Sequence, residues 1–168
     1  MRKAWHQHWM ETAQHAAEMS TCASGRKVGA VFVKDQRVVS TGFNGVPVNF
    51  PHPLVCVRRE ENIPSGQDLH KCACAHAEAN GIANAARAGT SLLGSVLFCT
   101  TQPCAMCMGA LANVGVKEVI YAEQYPHEMT ERIRAAADIP MTQYVLLNGK
   151  GILRVDPLIS EDFNDGEC

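Results

Sequence analysis

The sequence predicts an α/β protein in which helices pack on a sheet that is parallel over part of its width. Short runs rich in β-branched and aromatic residues alternate with helical segments from residue 76 onwards. A strand, a helix and a second strand in succession place the two strands in parallel. The composition agrees, because 168 residues with 46% hydrophobic and 19% charged residues are typical of one globular domain.

The first half of the chain predicts a helix, a hairpin and a long loop. Residues 4–20 place tryptophans and alanines at helical spacing before a Ser-Gly pair. Residues 28–43 hold two β-branched runs on either side of Lys-Asp-Gln, which indicates two strands joined by a tight turn. Prolines and glycines interrupt residues 44–71. A loop of this length is functional or is held in place by something other than burial.

The second half predicts alternating helices and strands. Gly89 and Gly115 stand where helix C-caps are expected. Residues 1–156 are expected to form a single domain, and 157–168 an acidic, frayed tail. The predicted helices cover 76–88, 104–114 and 127–137, and the predicted strands cover 95–100, 117–122 and, more weakly, 143–147.

Charge and hydropathy exclude several classes of protein. A net charge of −2 offers no general attraction to nucleic acid. The N-terminal segment lacks the apolar stretch of a signal peptide, and polar residues interrupt the uncharged run at 88–116. We therefore expect a cytoplasmic protein with no membrane and no nucleic-acid partner. Eight cysteines in such a protein indicate metal binding or reactive thiols more than disulfides.

Two short motifs open the two middle helices and together predict a zinc site. In Pro-Cys-Ala-Met-Cys, Cys104 and Cys107 are three residues apart, so both sulfurs lie on one face of the first helical turn. His76 supplies a third ligand from the start of the preceding helix. Three protein ligands leave one position open, which is typical of catalytic zinc. A C-x-x-C motif alone could equally be a redox pair or two core cysteines.

Glu78 follows His76 by two residues and is the predicted catalytic residue. At the first turn of a helix it can approach a zinc-bound water without binding the metal. A purely structural zinc module, the alternative from a different functional class, has no use for a carboxylate there. The order H-x-E and then P-C-x-x-C is that of the zinc nucleobase deaminases.

On these motifs the chain resembles the cytidine and deoxycytidylate deaminase superfamily, and most closely its deoxycytidylate (dCMP) deaminases. The resemblance covers about residues 20–126, and the segment from Cys56 to Cys72 looks like bacterial members. It implies a three-layer α/β/α fold with a five-stranded mixed sheet and a homo-oligomer, from dimer to hexamer. It also implies hydrolysis of dCMP to dUMP, a precursor of thymidylate, and ammonia. Zinc then activates the water that attacks C4, while Glu78 protonates N3. The matching segments are 28–31, 42–47, 76–80 and 115–121.

The resemblance also implies three substrate-binding residues. Asn44 matches an asparagine that binds the sugar hydroxyl, although a turn residue before glycine would look the same. The backbone at Ala77 matches a contact to the base edge. Tyr125 matches a tyrosine near the nucleotide, with a packing role as its alternative.

Two arginines are assigned to charged parts of nucleotides. Arg26 is the cation best placed by sequence for the substrate phosphate, with a solvated surface arginine as the alternative. Arg87 matches an arginine tied in some members to nucleotide effectors such as dCTP and dTTP. Those members carry glycines where this chain has residues 48–50, and the difference argues against close binding of a triphosphate.

The long loop predicts a second, structural zinc. Four nitrogen or sulfur ligands bracket it, which is enough for a closed site that holds the loop in place. Cys74 and His52 are competing ligands, and free thiols with an incidental histidine are the alternative. The predicted set is Cys22, Cys56, His70 and Cys72.

Other deaminases remain as alternatives. Residues 103–111 also look like those of tRNA adenosine deaminases, but the negative net charge and the long loop weigh against that branch. A free-base or nucleoside deaminase ranks third.

Overall fold

A six-stranded mixed sheet forms the centre of the protein. The computed structural model describes residues 3–64 and 67–157, and the sheet runs in the order β2-β1-β3-β4-β5-β6. The predicted tail falls almost entirely in 158–168, which lies outside the described residues, and the predicted domain boundary stays a prediction. The strands are β1 Gly29–Lys34, β2 Arg37–Phe43, β3 Val96–Thr101, β4 Glu118–Glu123, β5 Met141–Leu147 and β6 Lys150–Asp156. The helices are α1 Trp5–Glu18, α2 Val57–Glu60, α3 Ala77–Arg87, α4 Ala105–Asn113 and α5 Glu128–Ala136.

The strand directions confirm the predicted α/β class. β3, β4 and β5 are parallel neighbours, as the alternation of helices and strands predicted. The hairpin β1–β2 is antiparallel and joins this core through antiparallel pairing of β1 with β3. The predicted helices and strands are all present, with bounds shifted by at most two residues.

Helices cover both faces of the sheet and give three layers. On one face, Met10 and Ala13 of α1 pack against Val31 of β1. On the other, Met108 of α4 packs in a cluster with Phe32, which points from β1 to the opposite side. Successive strand residues point to opposite faces, and a strand covered on both faces is therefore buried along its length, as β1 is.

The predicted number of strands is wrong, since the sheet has six strands rather than five. β5 and β6 form an antiparallel hairpin in which Leu147 pairs with Lys150. Asn148 and Gly149 connect them with φ angles of 50° and 72°. Positive φ at both central residues is the geometry of a two-residue hairpin turn, and Asn-Gly is its strongest sequence signal. The sequence carries that signal, and the expectation of five strands overlooks it.

The long loop is closed at its base by a pair of backbone hydrogen bonds. Gly45 donates to the carbonyl of Ala75 at 3.1 Å, and Ala75 donates back at 2.9 Å. Between these residues the described part of the loop contains α2 and a short 3-10 turn at Leu69–Lys71. The closure places Asn44, at the end of β2, beside the residues that lead into α3.

Helix α3 lies unusually close to β2. A Cβ on Gly42 would lie 2.9 Å from the Cα of Gly81 and closer still to backbone atoms of Gly81 and Ala77, distances that real Cβ atoms essentially never show. Two side-chain hydrogen bonds fasten the contact: Ser40 Oγ donates to the Gly81 carbonyl at 2.6 Å, and Asn80 Nδ2 donates to the Phe43 carbonyl at 2.8 Å. The start of α3 can therefore lie in this position only because residue 42 has no side chain.

No helix among the described residues combines the length and the apolar character needed to cross a bilayer.

Candidate active site and metal centre

The starts of helices α3 and α4 converge on one point. His76 and Cys104 stand immediately before the two helices with extended backbone, and neither side chain caps its helix. Both side chains are therefore available to a ligand. Cys107 lies on the first turn of α4 and faces the same point. The positive ends of two helix dipoles stabilise thiolate there.

The three side chains fit a tetrahedral zinc ion. The Nδ1 atom of His76 lies 3.4 Å from the Sγ of Cys104 and 3.5 Å from the Sγ of Cys107. Zinc bonds of about 2.3 Å to sulfur and 2.0–2.1 Å to nitrogen, at the tetrahedral angle, separate N from S by about 3.6 Å. The donor set, one imidazole and two thiols, is also that of a catalytic zinc site.

The proton distribution in this cluster favours a bound cation. A hydrogen bond from the Cys107 thiol, and then contact with His76, lowers the pKa of Cys104 to about 4. The same shared proton raises the pKa of Cys107. The hydrogen bond with Cys104 raises the pKa of His76. A divalent metal takes the place of such shared protons and holds both sulfurs as thiolates.

Glu78 is buried beside the three ligands but does not belong to their group. It lies in the first turn of α3 and is 4% exposed. Burial raises the pKa of its carboxyl group, so its protonated form is favoured more than in water. A carboxyl group with a raised pKa next to a metal site is suited to taking up and returning protons near neutral pH.

One open cavity connects these groups with most of the substrate residues that the sequence predicts. Arg87 is not among its lining residues: it is exposed at the opposite end of α3, about 15 Å along the helix from His76. Its predicted effector role stays a prediction. The predicted residues that line the cavity are Arg26, Asn44, His76, Ala77, Glu78, Cys104 and Tyr125.

Asn44 is buried and fastens the wall of this cavity. Its Oδ1 accepts a hydrogen bond from the Val28 amide at 2.8 Å, and its Nδ2 donates to the Arg26 carbonyl at 2.8 Å. The side chain thus fixes the segment 26–28 next to the end of β2. This structural role is additional to the sugar contact that the sequence predicts.

Arg26 and Tyr125 meet at the edge of the cavity. The guanidinium carbon lies 5.5 Å from the centre of the Tyr125 ring, within the range of a cation–π contact. Arg26 also lies 3.4 Å from a carboxylate oxygen of Glu123, and both side chains are largely exposed. An exposed pair of this kind contributes little, so the guanidinium can turn to another anion.

A hydrogen-bonded chain that the sequence analysis missed holds Tyr125 in place. Gln102 accepts from the Tyr125 amide at 2.9 Å and donates to Glu131 at 3.2 Å. Arg134, which is 2% exposed, donates to the other oxygen of Glu131 at 2.6 Å. These residues come from the end of β3, α5 and the loop after β4, and no local pattern indicates that they meet.

The second group of thiols differs from the predicted set. The sulfurs of Cys22, Cys72 and Cys74 lie within 4.8 Å of one another. His70 is exposed and Cys56 is buried, and neither belongs to that group, whereas Cys74, the competing ligand, does. A second zinc at this group stays a prediction. Cys56 lines the same cavity, where burial raises the pKa of the Cys72 thiol.

Alternation explains why Cys74 joins the second group. Cys72 and His76 have extended backbone, Ala75 forms a bridge with Gly45, and residues 72, 74 and 76 all line the cavity, as alternation along an extended chain predicts. Two of them face Cys22, and the third is the histidine of the first cluster. The repeat of ligand residues at every second position, visible in Cys-Ala-Cys-Ala-His, was the signal that could have identified Cys74 from the sequence.

Comparisons with known proteins agree with this site. The family model described as "Cytidine and deoxycytidylate deaminase zinc-binding region" matches residues 3–123. A deoxycytidylate deaminase of Mycobacterium phage D29 is 35% identical over 73% of this chain and 98% of its own length. One of Schizosaccharomyces pombe is 34% identical over 86% of this chain, which spans only 45% of that relative. A structure of dCMP deaminase from the cyanophage S-TIM5 in complex with dCMP and dUMP matches with a TM-score of 0.70 and 29% sequence identity. The match covers 85% of this chain and 98% of the cyanophage chain.

Proposed function

The chain belongs to the cytidine and deoxycytidylate deaminase family, and on that basis we propose that it is a zinc-dependent hydrolase that converts dCMP to dUMP and ammonia and so supplies dUMP for thymidylate synthesis. The observation that carries the proposal is the cluster of His76, Cys104 and Cys107 with buried Glu78 beside it, at the base of an open cavity. Relatives named deoxycytidylate deaminase, and a solved dCMP complex of one such enzyme, support the choice of substrate.

The side chains divide the reaction between binding and proton transfer. His76, Cys104 and Cys107 would hold the zinc ion, which when bound makes water a nucleophile at neutral pH. Glu78 would take one proton from the attacking water and pass it to N3 of the cytosine, and it would then carry the remaining proton of the new C4 hydroxyl to the departing amino group. A bond forms between C4 and oxygen, the bond between C4 and nitrogen breaks, and ammonia leaves.

The cavity walls hold the nucleotide for this step. The backbone at Ala77, next to His76, would contact the base edge, and Asn44, which also lines the cavity, would contact the sugar hydroxyl. Burial of Glu78 keeps bulk water from competing for its proton. Tyr125 and Arg26 stand at the edge, where the sugar and phosphate would lie.

One assay series tests the proposal. Purified, zinc-loaded protein is given dCMP, CMP, dCTP, deoxycytidine, cytosine and adenosine-bearing tRNA in parallel, and ammonia release is measured. We expect kcat/KM to be highest for dCMP, with dUMP as the product. Faster turnover of deoxycytidine or of tRNA, or no turnover of dCMP by zinc-loaded protein, contradicts the proposal.

The second cysteine group leads us to propose a second, structural zinc. Cys22, Cys72 and Cys74 supply three thiol ligands, and Cys56, in the same cavity, would complete a set of four cysteine ligands. Ligands from both ends of the long loop would close it and remove much of its conformational freedom. We also propose that the protein forms a homo-oligomer, on the basis of the family resemblance. We propose a cytoplasmic location on the basis of the sequence composition.

A further inference from the structure

Arg58 is a second arginine of the cavity, and the sequence did not single it out. It lies on α2, two residues after Cys56, within the long loop. Its side chain lines the same cavity as Glu78, although α2 is far from Glu78 in sequence. The loop therefore brings a positive charge to the substrate cavity as well as ligands to the cysteine group.

The guanidinium of Arg58 has hydrogen-bonding capacity that the protein does not use. One nitrogen, Nη2, donates to the Pro64 carbonyl at 2.9 Å. The Nε atom is buried and has no hydrogen-bond partner. Among the ion pairs of residues 3–64 and 67–157, none includes Arg58. A buried donor without an acceptor is unfavourable, so the side chain gains a hydrogen bond when it turns towards an anion in the cavity.

Charge along the cavity is distributed in a way that suits a nucleotide. Arg26 and Arg58 are its arginines, and Glu78, at its base, is its only carboxylate among the described lining residues. A 5′-phosphate carries up to two negative charges, and arginine offers paired N–H donors that match phosphate oxygens. A nucleoside has no group that would use two guanidinium ions.

We propose that Arg58 binds the 5′-phosphate of the substrate together with Arg26, and that it is the residue that makes the enzyme prefer nucleotides to nucleosides. This inference rests on the proposed function, since it takes the cavity to be the site of a pyrimidine deoxynucleotide. The Pro64 carbonyl accepts from Nη2, and the unpartnered Nε would gain an acceptor when the guanidinium turns towards the phosphate. Arg26, more exposed and held only by a long contact to Glu123, completes the phosphate site from the opposite segment.

The adjacent Arg59 provides a matched control. It lies on the same short helix and has the same charge, but it is exposed and does not line the cavity. Its guanidinium packs against the backbone at Gly25, where a Cβ would lie 3.5 Å from Nη1. Replacing Arg59 changes the net charge and the helix α2 as replacing Arg58 does, but it removes no side chain that lines the cavity.

The test compares Arg58→Gln, Arg58→Lys and Arg59→Gln with the wild type. The measured quantities are kcat/KM for dCMP and for deoxycytidine, the Kd of dUMP by calorimetry, zinc content and Tm. We expect Arg58→Gln to lower kcat/KM for dCMP and weaken dUMP binding by about 10- to 100-fold, the effect of a lost charge-assisted hydrogen bond. Turnover of deoxycytidine should stay within about twofold. Arg59→Gln should match the wild type in every quantity.

Two results would overturn the inference while leaving the proposed function intact. The first is an unchanged kcat/KM for dCMP in Arg58→Gln. The second is an equal loss of kcat/KM for dCMP and for deoxycytidine, which indicates a structural role. If Arg58→Gln does not fold, Arg58→Lys decides, since a lysine that keeps the charge but not the fork should still weaken dUMP binding by about tenfold. If the wild type deaminates none of the cytosine compounds, the proposed function fails. The dUMP binding of the same variants then still supports or refutes the phosphate site.

Discussion

Replacing Gly42 by alanine should disturb the metal site without changing any of its ligands. The new Cβ would lie 2.9 Å from the Cα of Gly81 and closer to the Ala77 carbonyl, where ordinary contacts begin near 3.4 Å. Both neighbours are backbone atoms of α3, so the helix must move away from β2 by about 1 Å to restore contact distances. The start of α3 carries His76 and Glu78, whereas Cys104 stays on α4.

The displacement predicts two measurable effects. Overpacking destabilises by about 1–3 kcal/mol, which lowers Tm by about 2–12 °C in a chain of this size. A shift of about 1 Å between Glu78 and the ligands of α4 should reduce kcat/KM by about 10²-fold. Differential scanning calorimetry and an ammonia-release assay measure the two effects on the same preparation.

Gly109→Ala is the control, because it adds the same methyl group to α4, where a Cβ meets nothing within 4 Å. We expect it to raise stability by up to about 1 kcal/mol, through helix propensity, and to leave activity unchanged. Wild-type Tm and kcat/KM in Gly42→Ala would refute the reasoning, since they would show that α3 does not rest on the bare backbone at position 42.

Three further variants test separate parts of the site. Glu78→Gln should lower kcat by about 10²–10⁴-fold or more while zinc content and Tm stay close to wild type, and wild-type turnover would reject its role in proton transfer. Cys74→Ser should remove one equivalent of zinc by elemental analysis and lower Tm, whereas Cys168→Ser keeps both; one zinc per chain in wild type and variant alike would contradict the second site. Arg134→Met should lower the free energy of unfolding by about 1–3 kcal/mol in urea titration because it leaves the partly buried carboxylate of Glu131 without its ion-pair partner. A ΔΔG below about 1 kcal/mol would mean that the pair contributes little.

Local patterns predicted most of the fold because they determine most of its elements. The tight turn between the first two strands and the glycines after the middle helices are signals within a few residues of the structures that they end. The sixth strand was missed for a different reason. The expected strand number was taken from the family resemblance, although Asn148 and Gly149 indicate the hairpin directly.

The cluster of candidate metal ligands could be predicted because helix geometry sets the spacing of its cysteines. Cys104 and Cys107 share a face of α4 whatever surrounds them, and His76 is tied to Glu78 by adjacency. Arg58 and Gln102 could not be predicted, since their roles depend on contacts with residues far away in sequence. The second cysteine group differs from these cases, because the alternation in Cys-Ala-Cys-Ala-His is a local signal that indicates Cys74.

The concentration of sulfur in the substrate cavity has a consequence for the redox chemistry of the protein. Five cysteines line it, Cys22, Cys56, Cys72, Cys74 and Cys104, and all are free. The sulfurs of Cys22, Cys72 and Cys74 lie within 4.8 Å of one another, so peroxide can oxidise two of them to a disulfide when no metal holds them. The thiolate form, which is favoured at Cys104, is the form that peroxide attacks. Chelation and oxidation therefore both reduce zinc binding. A chelator exposes the thiols, and oxidation of the exposed thiols then prevents zinc from binding again. Reducing agent during metal exchange decides whether removal of zinc is reversible.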